Sequence, residues 1–336
     1  MVKISDVSAR AGVSPGAVSR VLSGDPTLRV SEETRQRVLS AARELSYVPN
    51  HAARALRTAR SSNLALIVPD VTSAVFAELA RGAEEQAGMR DLTIVLARAE
   101  QLDADSSWLQ RVVGEGRVDG VILQVPDSAP VSSIEAIVHR DVPIVLINSV
   151  NSGPVSTLAL DDEAGIRVAV EHLHSLGHRS IGFVGGSPQS ATGHRRLAGF
   201  DDATSALGTE TRDEWITQIG FSGADGRRAA TALVSRGTLP TGLVVANLNA
   251  ALGVLAEIHA RGLRVPADVS IVALHDVWYA DATWPPMTTV KMPLRELGSE
   301  AVSLLLDHGQ DSPPEHRVIR TPAPELIVRS STSEPR

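Results

Sequence analysis

The sequence predicts an α/β protein: a small all-helical module at the N-terminus followed by a larger core built on parallel sheets. Two patterns carry that expectation. The first sixty residues hold short helical repeats of apolar side chains, whereas from Asn63 onward apolar runs of strand length alternate with amphipathic helical stretches. The charge changes sign at the same place: residues 1–60 carry 10 Lys and Arg against 5 Asp and Glu, and the remainder 22 against 34, within a net charge of -7. A polyanion is therefore expected at the N-terminal end.

Within the N-terminal module, Ile4, Val7 and Ala11 share one helical face, and Gly12 ends it with a residue that tolerates a tight turn. Ser14 and Pro15 supply an N-cap and a first-turn proline for a second helix whose inward residues are Val18, Val21 and Leu22. The product is two short helices about a glycine turn. A third helix starts at Ser31, with Glu32 and Glu33 near its positive end, and runs through Val38, Ala41, Ala42 and Leu45. A short alanine-rich pattern over 50–57 is too brief to be stable alone and is expected to fold only against a partner.

Strands are expected at 64–68, 93–97, 120–125 and 143–147, and as a second set at 181–185, 242–246 and 270–274. Runs that are apolar throughout and alternate with helices imply parallel sheets covered on both faces, arranged as two lobes. Ligands of such folds bind at the C-terminal ends of the strands, here in the cleft between the lobes. The segment ELIV (325–328) reads as a last strand, and the polar residues after it as a frayed tail without leucine heptads.

Several function classes are disfavoured. The chain has no cysteine, which removes disulfides, thiolate metal sites and a cysteine nucleophile. Its N-terminus carries charge where a secretory signal needs an apolar run, and no stretch approaches ~18 uninterrupted apolar residues, so a cytoplasmic protein without membrane contact is expected. GxGxxG, GxxxxGK[ST] and HExxH are absent. GFVGG (182–186) lacks phosphate-cradle spacing, and His172, His174 and His178 do not repeat on one helical face. Neither catalysis, nor a metal, nor a cofactor is expected.

The segments ISDVSARAGVSPGAVSRVL (4–22), VSEETRQRVLSAARELSYVPN (30–50) and AARALR (52–57) resemble the DNA-binding headpiece and hinge of the lactose-repressor (LacI/GalR) family. The resemblance continues through EHLHSLGHRSIGFVGG (171–186), RRLAGF (195–200), GLRVPADVSIVALHD (262–276) and PPMTTV (285–290), so it covers nearly the whole chain. It implies a helix-turn-helix domain at 1–48, a hinge helix and linker at 49–61, and a two-lobed periplasmic-binding-protein-like (type I) core at 62–330. One lobe would take about 62–160 and 292–322, the other about 161–289 and 323–330, with three crossovers between them. A homodimer on a palindromic double-stranded DNA operator is implied as well.

By the same resemblance the second helix enters the major groove, where Arg20 can grip a guanine through two acceptors. Pro15 and Gly16 stand at the positions that most vary operator choice, yet neither offers a hydrogen bond. Ser5, Ser14, Ser19, Arg29, Ser31 and Asn50 are the expected phosphate contacts. Leu56 would wedge into the minor groove at the operator centre, with Ala53 in the same hinge contact and Arg54 and Arg57 along the backbone.

The effector pocket carried over in this way comprises Ser73, Phe76, Gln124 and Asn148 from one lobe and Arg196, Phe221, Asn247, His275 and Asp276 from the other. Amides, a guanidinium and aromatic faces suit a sugar or sugar derivative. Two departures qualify that: the family often has an aspartate pair where this chain has His275-Asp276, and Asn-Asp where it has Asn247-Leu248. The ligand is thus expected to accept more hydrogen bonds and donate fewer than a simple sugar. Trp278, Tyr279 and Trp284 either form a stacking wall or pack their loop against the sheet. The function implied is a transcriptional regulator, read as a repressor, whose DNA affinity follows effector-driven lobe closure. A corepressor-type regulator or activator answering to a nucleobase or other non-sugar metabolite is the alternative. A transport-type sugar-binding protein would share the cleft but not the basic headpiece.

Overall fold

In a computed structural model, which describes residues 2–48, 60–99, 116–125, 142–149, 155–237, 239–307 and 313–336, serine side chains start two of three N-terminal helices. These are α1 (Ile4–Ala11), α2 (Pro15–Leu22) and α3 (Glu32–Glu44). Ser14 Oγ accepts from the Ala17 N–H at 3.2 Å and Ser31 Oγ from the Thr34 N–H at 3.2 Å, each satisfying a donor that the helix start leaves over. Gly12 closes α1 at φ +67°, a conformation that strains a side chain. Val7, Ala11, Val18, Val21, Val38, Ala41 and Ala42 form the core of this unit, which spans Met1–Ser61. Ile4, Leu22 and Leu45 are only partly covered against it.

The second unit, Ser62–Arg336, contains two six-stranded sheets. The first joins β1 (Asn63–Val68), β2 (Thr93–Arg98), β3 (Gly120–Leu123), β4 (Ile144–Ile147), β5 (Ser156–Leu160) and the late strand β11 (His316–Ile319). Its order is β11-β5-β4-β3-β1-β2, and every pair is parallel. The second joins β6 (Ile181–Gly185), β7 (Ile216–Gln218), β8 (Gly242–Val245), β9 (Ser270–Leu274), β10 (Thr288–Lys291) and β12 (Glu325–Ile327) in the order β12-β10-β9-β8-β6-β7. Only the β10–β12 pair is antiparallel. The chain passes from one sheet to the other after β5, β10 and β11, so each sheet defines one lobe of the unit.

Strands β1, β3, β6, β8 and β9 are buried almost end to end, as continuous apolar runs require. The edge strand β2 departs from the expectation of full cover: Val95 and Leu96 are exposed. Helices α4 (Ala74–Gly88), α5 (Asp162–Ser175), α6 (Ala191–Leu207), α7 (Gly223–Ser235), α8 (Leu248–Ala260) and α9 (Leu294–Asp307) pack on the sheets. Helices α4 and α9 approach backbone to backbone. A Cβ on Gly82 would lie 2.0 Å from Arg295 O and one on Gly298 2.1 Å from Leu79 O, so both positions need glycine.

The C-terminal segment is not frayed. Ser331 is fully buried, its Oγ donating to Ile271 O at 2.6 Å and accepting from the Thr288 N–H at 2.8 Å. Ser333 O accepts from His178 Nε2 at 2.9 Å, and the Thr332 hydroxyl meets His172 Nε2 at 3.0 Å. Polar composition suggested solvent; here the polar groups bond the starts of the inner strands β9 and β10 and the helix packed beside them.

Burial lowers the pKa of His178 from its ordinary 6.5, and burial together with the neighbouring His178 lowers that of His172. Both imidazoles therefore take up protons more readily once unfolded, and their contribution is complete above pH 6.5 and lost as the pH falls through the folded values. Thermal unfolding should show a Tm that is flat between about pH 8 and pH 7 and falls toward about pH 5.5, less steeply in a His172→Asn/His178→Asn double variant. A Tm rising over that acid window contradicts the arrangement.

Candidate DNA-reading helix and ligand cavity

The helix α2 presents Ser14, Pro15 and Gly16 exposed at its N-terminus, with Ser19 and Arg20 half-buried one turn on. Arg20 is held by the short loop after α2: its Nε donates to Asp25 Oδ2 at 2.7 Å and its Nη2 to Thr27 Oγ1 at 3.0 Å. Thr27 in turn donates its hydroxyl and its N–H to Asp25 Oδ1. The Thr27 hydroxyl first, and then Arg20, lower the Asp25 carboxyl to a pKa of about 2, so it stays anionic and keeps the guanidinium oriented.

Among the other expected DNA contacts, Ser5, Arg29 and Ser31 are exposed, and Ser31 and Ser14 double as helix caps. Asn50, Ala53, Arg54, Leu56 and Arg57 lie outside the described residues. The stretch Gly12-Val13-Ser14-Pro15-Gly16 fits the hydrolase pattern GxSxG, but Ser14 caps a helix between two helices rather than standing on a strand-to-helix turn.

In the second unit a cavity of about 220 Å³ opens at the C-terminal ends of both sheets. Eight of the nine expected effector residues line it: Ser73, Phe76, Gln124, Asn148, Arg196, Phe221, Asn247 and His275. Asp276 does not. Its Oδ1 accepts from Thr289 Oγ1 at 2.7 Å and pairs with Arg329 Nη1 at 2.7 Å, so the C-terminal segment claims this carboxylate. Phe221 occupies its place because residue 186 is glycine; a Cβ there would lie 2.0 Å from the ring.

Arg196 is the centre of the wall. It is buried, and its Nε donates to Asp162 Oδ1 at 2.8 Å, Nη1 to Ala246 O at 2.5 Å and Nη2 to His275 Nε2 at 2.9 Å, while its plane lies 5.6 Å from the Phe221 ring centroid. Asp162, also buried, accepts as well from Arg195 Nε at 2.9 Å. Burial, and secondly the charge of Arg196, push the His275 pKa well below its usual value, so the ring is neutral. His275 stands at φ +71° and Asn148 at φ +51°, two strand-end residues turned sharply toward the cavity they line.

Sequence reasoning missed several contributors. Thr192 Oγ1 donates to Asn148 O at 3.2 Å, and Asn249 Nδ2 donates to Ser73 Oγ at 2.8 Å; each bond joins the two lobes across the cavity. Tyr279 supports the second bond by donating to Asn249 Oδ1. Its neighbours Trp278 and Trp284 are 78% and 83% exposed and do not line the cavity, so no stacking wall forms there; the loop packs against the second sheet through Tyr279 and the buried Ala280 instead. Asp162 follows β5, a strand whose polar Ser-Thr start hides it from an apolar-run reading.

Residues 3–50 match the family described as bacterial regulatory proteins, lacI family, and residues 170–332 match the periplasmic binding protein-like domain. The HTH-type transcriptional regulator DegA of Bacillus subtilis (strain 168) is 31% identical over 333 residues, 98% of each chain. The chain belongs to the LacI family. Among solved structures, that of the Lac repressor dimer bound to operator and the anti-inducer ONPF superposes with a TM-score of 0.80 at 26% identity, covering 99% of each chain. The transcriptional regulator CelR–cellobiose complex has a TM-score of 0.72 at 30% identity, covering 98% of this chain and all of the other. The LacI-family fold explains the division of labour seen here: a helical module with an exposed, capped second helix, and a two-lobed unit with a cavity at the strand ends.

The buried ion pair allows a direct test. Asp162→Ala leaves the buried Arg196 guanidinium without its carboxylate, and should lower the unfolding free energy by about 3–5 kcal/mol in urea titrations. A loss under about 1 kcal/mol, the range of a surface pair, contradicts the burial described.

Proposed function

We propose that this LacI-family regulator is a repressor that binds a two-fold symmetric operator as a homodimer and takes a sugar or sugar derivative in its interlobe cavity. It acts by binding, not catalysis, and in the cytoplasm. The observation that carries this reading is the cavity itself, which gathers amides, a guanidinium and two phenylalanines at the C-terminal ends of both sheets, in one chain with the α2 module. The solved relatives support it: the Lac repressor dimer is bound to operator and an anti-inducer, and CelR to cellobiose.

On this reading α2 lies in the major groove with Arg20 as the base reader, and Ser5, Ser14, Ser19, Arg29, Ser31 and Asn50 hold phosphates. Ala53, Leu56 and Arg57 of the 49–61 hinge contact the minor groove. The cross-cavity bonds at Asn148 and Ser73 give the effector its leverage. A ligand that favours one spacing of the lobes shifts the population between states of different operator affinity, by no more than its own differential affinity.

Selection of bound sequences from a random DNA library at one moderate salt concentration tests the reading, since salt sets the nonspecific background. Enrichment of a two-fold symmetric site is expected. On that site Arg20→Ala and Asp25→Ala should each cost about 1–3 kcal/mol, with a smaller loss on random DNA. Failure to enrich any symmetric site, with or without added sugars, overturns it.

A further inference from the structure

Every α-helix among the described residues that follows a serine, aspartate or asparagine uses that side chain as its cap, with one exception. Ser14, Ser31, Asp161, Ser190, Ser222 and Asn247 each accept a backbone N–H from the first turn they precede. Ser73, which precedes α4, makes no such bond. Its backbone is not the reason. Ser73 stands at φ -74°, ψ 125° and Ser190 at φ -80°, ψ 126°, so both start their helices in the same conformation. The Gly193 N–H donates to Ser190 Oγ at 3.2 Å, whereas the equivalent Phe76 N–H donates to the Ser73 carbonyl at 3.0 Å. What differs is the hydroxyl, and a turn about one side-chain bond interconverts the two arrangements.

The Ser73 hydroxyl is diverted across the cleft. Asn249 Nδ2, on α8 of the second lobe, donates to it at 2.8 Å, and Tyr279 holds Asn249 by donating to its Oδ1. The Tyr279 ring packs on the core of the second lobe. Burial raises the pKa of its phenol, so the hydroxyl keeps its proton and remains a donor at neutral pH. The first turn of α4 meets both the other lobe and the ligand space: Ala74 and Val75 pack on the apolar core of the second lobe, and Phe76 lines the cavity. A change of cap at Ser73 therefore acts on the turn that joins the lobes.

We propose that Ser73, Asn249 and Tyr279 form a latch on the closed lobes, and that Ser73 is its moving part: it bonds Asn249 while the lobes are together and caps α4 through the Phe76 N–H when they part. The inference rests on the regulator reading and adds the control of its cavity. A helix cap and a hydrogen bond between neutral groups contribute similar free energies, so trading one for the other is nearly neutral. A ligand then needs only a modest differential affinity for the closed or the open arrangement to choose between them. Tyr279 is a positioning residue in this device, since it acts through Asn249 and does not line the cavity.

Hydroxyl-radical footprinting of the full-length, ligand-free protein tests the latch, because the phenylalanines report on two different places. Phe76 and Phe221 line the cavity, while Phe183 and Phe200 are fully buried in the core. In Asn249→Ala and in Tyr279→Phe, oxidation of Phe76 and Phe221 should rise by roughly twofold or more, with Phe183 and Phe200 unchanged. The double variant should react no faster than Asn249→Ala alone, because Tyr279 acts only through that amide. A variant in which Phe183 or Phe200 reacts is misfolded, and the other then carries the test; Tyr279→Phe keeps the ring and removes only the hydroxyl. A crystal structure of Asn249→Ala should show Ser73 Oγ accepting the Phe76 N–H. The proposal is overturned if Phe76 and Phe221 react no faster in either folded variant, if the double variant shows the sum of the two effects, or if Ser73 leaves α4 uncapped once Asn249 is gone. Neither measurement uses DNA or an effector, so a failure of operator selection counts against the regulator reading and not against the latch.

Discussion

The guanidinium of Arg196 ties together four segments that the chain order keeps far apart. It bonds the first residue of α5 through Asp162, the end of β8 through the Ala246 carbonyl and the end of β9 through His275, and it lies against the Phe221 ring after β7. Burying a charge is costly unless it is paired and its remaining hydrogens are bonded. Here every nitrogen of the fork has a partner, so the arginine organises the ends of the second sheet instead of straining them. A lysine, with one compact ammonium, could not hold three acceptors at these separate positions.

From that fixed point the cavity can be followed outward. Gly186 makes room for Phe221, and Asn247, which caps α8 through Ala250, donates at 3.0 Å to the Phe221 carbonyl. The second lobe thus presents a preformed wall. Among the described residues the first lobe reaches it through the bonds of Asn148 to Thr192 and Ser73 to Asn249, and through Ala74, which packs into the apolar core of the second lobe. These links define one arrangement of the lobes, and a ligand that fills the space between them can shift its population.

Much of the fold was legible in the sequence because its strands are apolar on both faces and its helices begin at serines and aspartates. Strands β5, β7, β10 and β11 were not. Ser156, Thr288 and Thr289 are buried although polar, β7 has three residues, and His316 and Arg317 lie exposed in β11. The C-terminal segment misled for a related reason, since Ser331 and Ser333 look solvated in composition but hydrogen-bond the start of the inner strand β9. At the site, resemblance supplied eight residues that now share one cavity. It misplaced Asp276, whose partner Arg329 lies 53 positions later in the numbering and could not be inferred locally. Asp162, Thr192 and Asn249 were missed because each matters through a bond to another element, and a linear pattern does not show such pairs.

Nitrogen-15 NMR of the imidazoles in uniformly labelled full-length protein tests the central interaction most directly, because the ring nitrogens report which of them carries the proton. A His275→Asn variant assigns the signal. The account predicts a neutral ring protonated at Nδ1, with Nε2 bare, that stays neutral as the pH falls well below 6.5. A ring protonated at Nε2, or one that becomes cationic near its ordinary pKa, would contradict the Arg196–His275 bond and with it the organisation of the cavity.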